Sequence, residues 1–375
     1  MKLGSLRLAG FGVLACLVVL GNSPTPADDS NRTAVALEAL GRLKGIDLEA
    51  NPGIKAAVLK LLDQTRGTPQ FVEIVRYFKI AGQDAALLEI AIQNFTSSMG
   101  AEAMRLVLNG PNFELLKQSL GSTNAVKVAV ALGNAASKEI VPLLLPIAMD
   151  PAREVALRKQ AVQSLAQIQA GAAALLKLAE ERRLPADLTL TAAAALNSVR
   201  WEDLKARAAN ILPLRPGRDA LPLPPLSELV KLTGDPVNGA KVFRSDAAGC
   251  TKCHQVNGEG IDFGPALTEI GTKLGKDALF EAILTPSAGI SFGFEAWQIS
   301  LKNGDDAYGL VASETAEELA IKATGGIVTR YQKGDIASRA QQKLSIMPAD
   351  LQQAMTRQEL VDLVEYLFSL KKAGR

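Results

Sequence analysis

Histidine occurs once in this chain and cysteine three times, and these two scarcities exclude more than any abundance does. If the N-terminal segment bearing Cys16 is removed, only Cys250 and Cys253 remain, too few for a multi-bridge disulfide framework. An excess of one charge is lacking too: 41 basic and 39 acidic residues give a net charge of +2. That balance implies neither a nucleic-acid nor a membrane-surface partner. Between residues 31 and 213 aromatics are sparse, and there is no histidine, no cysteine and no glycine-rich phosphate loop. Nothing in that half points to catalysis.

What is present begins with Lys2 and Arg7, which precede an uncharged apolar run from Leu8 to Leu20 and then small and polar residues as far as Ala27. This is the pattern of a secretory signal peptide, and the run is short for a bilayer span. Residues 1–27 are therefore expected to be a signal peptide, and the mature protein to be periplasmic or otherwise exported. Cleavage there removes two basic residues and no acidic one, which brings the charge into balance. Membrane association would come only through an uncleaved signal or a lipid on Cys16. For the lipid, Leu14 and the apolar residues beyond Cys16 are atypical.

Residues 28–211 are rich in Ala, Leu and Val with polar residues at helical spacing, and read as short paired helices. Asp150-Pro151 offers an N-cap acceptor and a first-turn proline, and Thr123-Asn124 precedes another helix. "VAVALGNAA", "AVQSLAQIQ" and "AAAALNSVR" form a faint repeat in which Leu132, Leu165 and Leu196 are 33 and then 31 residues apart. Such a period suits a stack of helix pairs in which neighbours supply each other's core, and the region resembles HEAT-like repeats. An irregular helical domain is the alternative. Residues 212–228, dense in proline, read as a semi-rigid linker to a second domain at 229–375.

"GCTKCHQVNGEG" holds Cys250, Cys253 and the single His254. A structural zinc site wants four nitrogen or sulfur ligands, and no cysteine or histidine follows His254. A thioredoxin-like dithiol belongs in a βαβ setting, whereas here a helix precedes and a glycine-rich loop follows. A plain disulfide leaves His254 unexplained. C-x-x-C-H is also the c-type haem attachment motif, in which two thiols bond the porphyrin vinyls and the histidine ligates iron. With no second histidine, a methionine thioether is the expected sixth ligand.

The flanks extend this. "TGDPVNGAKVFRS" offers Asp235 as N-cap, Pro236 in the first turn, and Gly239 and Phe243 on one face. "TRQELVDLVEYLFSLKK" is an amphipathic terminal helix with Leu363, Tyr366, Leu367 and Leu370 on its apolar side. Together they resemble the first and last helices of a class I cytochrome c. That resemblance implies one covalent haem c, Met347 in "SIMPAD" as distal iron ligand in preference to Met355, and the Pro265 carbonyl of "FGPAL" as acceptor for the His254 imidazole, with Gly264 allowing the turn.

A detour from about 294 to 345 reads as β: Trp297, Ile299 and Leu301 alternate with polar residues, and Asn303-Gly304 and Gly325-Gly326 mark hairpin turns. The order "GDPVNGAKVF", "GCTKCHQVNGEG", "FGPALTEIG", "ILTPSAGI", hairpins, "SIMPADL", "LVDLVEYL" resembles the haem-binding domain of planctomycete and verrucomicrobial secreted proteins, from Gly234 to about Leu370. Members often carry helical repeats upstream, and many carry a sugar-dehydrogenase-like propeller. This chain has no room for a propeller, so a dehydrogenase activity is not expected. The expected fold is mainly α: a HEAT-like solenoid followed by a cytochrome c-like domain with a small inserted sheet. The expected role is electron transfer to or from a separate redox protein, such as a dehydrogenase or another cytochrome. Haem peroxidase or ligand-sensor chemistry, which needs an open sixth position, and a scaffold built on the repeats are the alternatives.

Overall fold

A computed structural model describes residues 46–213, 223–349 and 351–372. The expected signal peptide, and residues 214–222 of the expected linker, lie outside them. Among the described residues there are sixteen α-helices and one five-stranded sheet, so the chain is mainly α with a small inserted sheet. No described helix is long and apolar enough to cross a membrane.

The chain divides into two compact units, with the boundary after Thr65. The first contributes α1 (Pro52–Gln64), which starts on a proline and buries Val58, Leu61 and Leu62. All other described elements belong to the second unit.

That unit opens with α2 (Pro69–Phe78), α3 (Asp84–Gln93), α4 (Ser98–Leu108), α5 (Phe113–Ser119), α6 (Ala125–Asn134), α7 (Val141–Met149), α8 (Val155–Leu165), α9 (Gln169–Glu180), α10 (Thr189–Asn197) and α11 (Glu202–Ile211). Helices this short are marginal in isolation and depend on packing. The packing follows the repeat: α6, α8 and α10 stack in sequence, each followed by a second helix, and their Leu132, Leu165 and Leu196 are fully buried. Between α6 and α8 the buried Ser164 hydroxyl donates to the Ala129 carbonyl at 2.8 Å. Buried Arg158 of α8 donates to Ala148 O at 3.1 Å and to the Asp187 carboxylate at 2.6 Å.

Two expected caps differ. Asp150 ends α7 rather than starting a helix. Its Oδ1 accepts from Ala152 N at 3.0 Å in a turn through Pro151, and α8 begins only at Val155. Asp-Pro initiates turns as readily as helices, and here the turn prevails. Asn124 does precede α6, but its side chain makes no capping bond.

The inserted strands are β1 (Trp297–Leu301), β2 (Asp306–Glu314), β3 (Glu318–Lys322), β4 (Val328–Gln332) and β5 (Ile336–Gln341), all antiparallel in the order β4-β3-β2-β1-β5. Turns fall at Asn303-Gly304 and Gly325-Gly326, where positive φ suits glycine. Ile299, Leu319, Ile321 and Tyr331 form the sheet's core.

This sheet is fastened to the helical stack by polar contacts. Arg76 of α2 pairs with Glu318 at 2.8 Å, Ser98 Oγ accepts from Val328 N at 2.8 Å, and the Arg105 guanidinium lies 4.6 Å over the Tyr331 ring. At the β1–β2 turn Asp305 accepts from Lys138 N at 2.9 Å and Ser137 Oγ at 3.2 Å. Arg200 pairs with Asp306 and stacks 4.9 Å from the Tyr308 ring.

Candidate functional site

The remaining helices are α12 (Leu226–Leu229), α13 (Pro236–Arg244), α14 (Ile270–Lys273), α15 (Lys276–Leu284) and α16 (Arg357–Ser369). Asp235 caps α13 by accepting from Val237 N at 2.8 Å, with Pro236 in the first turn, as its sequence implies. Thr356 and Glu359 make a reciprocal capping box at the start of α16.

These two helices cross at Gly239, where any β-carbon would overlap the Asp362 carbonyl. Beside the crossing the Phe243 and Tyr366 rings lie 5.7 Å apart, tilted by 54°. Leu363 and Leu367 are buried, and Leu370 is partly buried against the same core.

Asp362, on the buried face of α16, accepts from Asp235 N (2.8 Å), Asn238 Nδ2 (2.7 Å) and Gln358 Nε2 (2.8 Å). Burial pushes its carboxyl upward, but the bonds from Asn238, Asp235 and Gln358 prevail and hold it below the usual carboxylate value.

The CTKCH stretch starts from Gly249 in the left-handed conformation and turns through one 3₁₀ element over Cys250–Lys252. Cys253 N and His254 N both donate to Cys250 O, at 3.1 and 2.9 Å. Cys250 and Cys253 are free thiols. Burial pushes Cys250 up to about 11, and burial pushes Cys253 in the same direction against a smaller opposing effect of Lys252. A disulfide-exchanging C-x-x-C pair needs a depressed thiol, so the environment is the reverse of what the dithiol reading requires. Nor do the described residues place three or more His, Cys, Asp or Glu side chains where they could share a metal ion.

Residues 255–265 then wrap back. Ile261 N donates to Thr251 O at 2.9 Å, and Gly264 N donates to Cys253 O at 2.6 Å. Lys322 of β3 pairs with Asp262 at 2.8 Å, tying this loop to the inserted sheet. The wrap delivers Pro265 O to 2.7 Å from His254 Nδ1. A carbonyl can only accept, so Nδ1 carries the proton and Nε2 keeps its lone pair. Burial holds the imidazole below its usual pKa against the raising effect of the Pro265 bond, which keeps it in the neutral, ligating form. Gly264 lies flat against this ring: a β-carbon there would sit 2.6 Å from Cε1.

Met347 follows β5. Its N donates to Ser345 Oγ at 3.2 Å, and Ser345 N donates to Ser287 Oγ at 3.0 Å. Met347 and Cys250 are both partly buried against one apolar cluster, whereas Met355 is enclosed within that cluster, 5% exposed. The two thiols, His254, Gly264 and Pro265 thus form one local constellation, and Met347 reaches the same core from a distant part of the chain.

These residues fit a c-type haem. No disulfide joins the two cysteines, burial raises both thiols and lowers the imidazole, the Pro265 bond occupies Nδ1 and leaves Nε2 to ligate, and Gly264 leaves the ring's flank bare. Cys250, Cys253 and His254 would hold the group, which supplies reversible one-electron iron chemistry when bound.

Sequence reasoning missed Asp362 and the Ser287–Ser345–Met347 chain of hydrogen bonds. In "LVDLVEYL" the acid Asp362 stands between the apolar pairs Leu360-Val361 and Leu363-Val364, and this was a usable signal for the first. The second carries no local signature.

The family model described as Cytochrome c matches residues 236–304, from the first residue of α13 into the β1–β2 turn. That supports a c-type haem-binding domain and a haem-based redox role. The match ends before Met347 and α16. No curated protein matches the chain.

Proposed function

We propose that this chain is an exported c-type cytochrome that carries one covalent haem between His254 and Met347 and exchanges single electrons with a separate redox protein. The observation that carries the reading is the His254–Pro265 bond with Gly264 against the ring, because it fixes both the tautomer and the orientation that iron ligation requires. Cys250 and Cys253 would anchor the porphyrin edge. Met347, with a neutral and soft sulfur, would favour Fe(II) and raise the potential.

The helical stack is the partner-docking module in this reading, of HEAT-like type. Its fastening to the sheet through Arg76–Glu318 and Arg200–Asp306, and the sheet's bond to the haem loop through Lys322–Asp262, support a docked partner being held near the redox centre. Lys241, Lys252, Lys273 and Lys276 would form a basic rim around an exposed haem edge in this reading, with Lys276 paired with Glu365 and Lys252 3.8 Å from Asp246. The family is that of the planctomycete and verrucomicrobial secreted haem-binding domains, on the motif order given above.

The test is covalency and count. The full-length protein is matured in a periplasm with cytochrome c maturation factors and extracted with acid acetone. One haem per chain that resists extraction, and that becomes extractable in the Cys250→Ala/Cys253→Ala variant, is the expected result. A haem-free chain despite active maturation overturns the proposal.

A further inference from the structure

The β3–β4 hairpin touches the haem loop at two places. Lys322, the last residue of β3, holds the Asp262 carboxylate at 2.8 Å. Gly326, in the turn, presents bare backbone to the same loop, and a β-carbon there would sit 3.0 Å from Ile261 Cγ2. Ile261 and Asp262 lead straight into the wrap. Ile261 N donates to Thr251 O, Phe263 N and Gly264 N both donate to Cys253 O, and Pro265 O then accepts from His254. The hairpin therefore braces the outer side of the segment that carries the histidine's hydrogen-bond acceptor. Lys322 is also the cross-strand partner of Val328, and Val328 N donates to the hydroxyl of Ser98, the first residue of α4, at 2.8 Å. One rung of the sheet thus meets the haem loop on one strand and the helical stack on the other. The turn beyond that rung is closed by its own bonds, Ala323 N to Ile327 O at 2.8 Å and Gly326 N to Ala323 O at 3.0 Å.

Resting on the function proposed above, we infer that Lys322 is a positioning residue for the iron-ligating histidine, acting through Asp262 and the 261–265 segment, and that Ser98 couples the helical stack to it. A carbonyl that accepts from the far nitrogen of a ligating imidazole makes the near nitrogen a stronger donor. Stronger donation favours Fe(III), so loosening the Pro265 bond raises the reduction potential. Local opening of the segment is governed by the few contacts that hold it, and Lys322–Asp262 is one that reaches it from outside the haem domain's own helices. The stack then acts on the redox centre by contact as well as by holding a partner.

The test reads two quantities in the full-length matured protein, amide hydrogen exchange at Gly264 and the reduction potential. Three variants are compared with the wild type. Lys322→Met with Asp262→Asn removes the ion pair without changing net charge, Ser98→Ala removes the grip of the stack, and Lys322→Arg keeps the pair. In the first two, Gly264 exchanges about two- to fivefold faster, the factor one weak polar contact is worth, the potential rises, and the amides of α8 exchange as in the wild type. Lys322→Arg behaves as the wild type does. Unchanged exchange at Gly264 in both of the first two variants overturns the inference, and so does faster exchange with an unchanged potential, which would make the hairpin a merely structural brace. Faster exchange in the ion-pair variant alone overturns the coupling through Ser98. Exchange is read equally in protein expressed without maturation, so the contacts are decided independently of the cofactor. A wild-type chain that takes up no haem overturns the function proposed above instead.

Discussion

Gly264 and His254 are packed so closely that a single methyl group on the glycine would meet the imidazole at 2.6 Å from Cε1 and 2.9 Å from Nδ1. The ring cannot yield toward Pro265, whose carbonyl already holds Nδ1 at 2.7 Å. Gly264→Ala is therefore expected to cost about 1–3 kcal/mol of stability through overpacking, read as a lower urea midpoint. In matured protein the same variant is expected to weaken the histidine–iron bond, read as a shift from low-spin to high-spin absorption.

The crossing of α13 and α16 gives a second expectation. Asp362 accepts from three donors on two segments, so Asp362→Ala leaves buried donors unpaired and is expected to cost about 2–4 kcal/mol. The pH dependence has a definite sign. The folded-state pKa is depressed, so the stabilisation is complete above the unfolded value of about 3.9 and is lost as pH falls through the lower folded value. Urea midpoints between pH 6 and pH 2 should fall less steeply in Asp362→Ala than in the wild type.

The third expectation concerns the fastening of sheet to stack. Arg76 faces both Glu318 at 2.8 Å and Glu102 at 3.6 Å, with little exposure of any of the three. Burial lowers its pKa, and the bond to Glu318 with the nearby charges more than restores it. Arg76→Ala takes the cation away from both carboxylates, although Glu318 keeps its bond from Gln332 at 2.6 Å, and is expected to destabilise by about 3 kcal/mol. Pairing it with Glu318→Gln should recover part of that loss. A double-mutant cycle with no coupling energy would remove Arg76–Glu318 from the account.

How much of this was legible follows from the range of each signal. The hairpin turns at Asn303-Gly304 and Gly325-Gly326, the alternation through Ile299, and the Asp235-Pro236 start of α13 are written in adjacent residues, and each was readable. The helical character of the N-terminal half was readable from the helical spacing of its polar residues, and Leu132, Leu165 and Leu196, 33 and then 31 residues apart, are each buried. Asp150 was misread because the same Asp-Pro pair serves a turn and a helix start, and only the position of Val155 decides between them. The pairing of β5 with β1, the salt bridges from Arg76 and Arg200 to the sheet, and the approach of Met347 to the Cys250 core join residues far apart in the chain. No local pattern encodes those partners. In the site, the attachment motif was fully local, whereas the Pro265 acceptor came from resemblance and its 2.7 Å bond only from the fold.

The most direct test of the central claim is the pair of oxidised and reduced optical spectra of the matured full-length protein beside those of Met347→Ala and Met355→Ala. The account predicts a low-spin c-type spectrum with a methionine-to-iron band that survives in Met355→Ala and disappears in Met347→Ala. A wild-type haem that is high-spin and binds added ligands freely would contradict it, leaving an open sixth position and a ligand-binding or peroxidatic role in place of electron transfer.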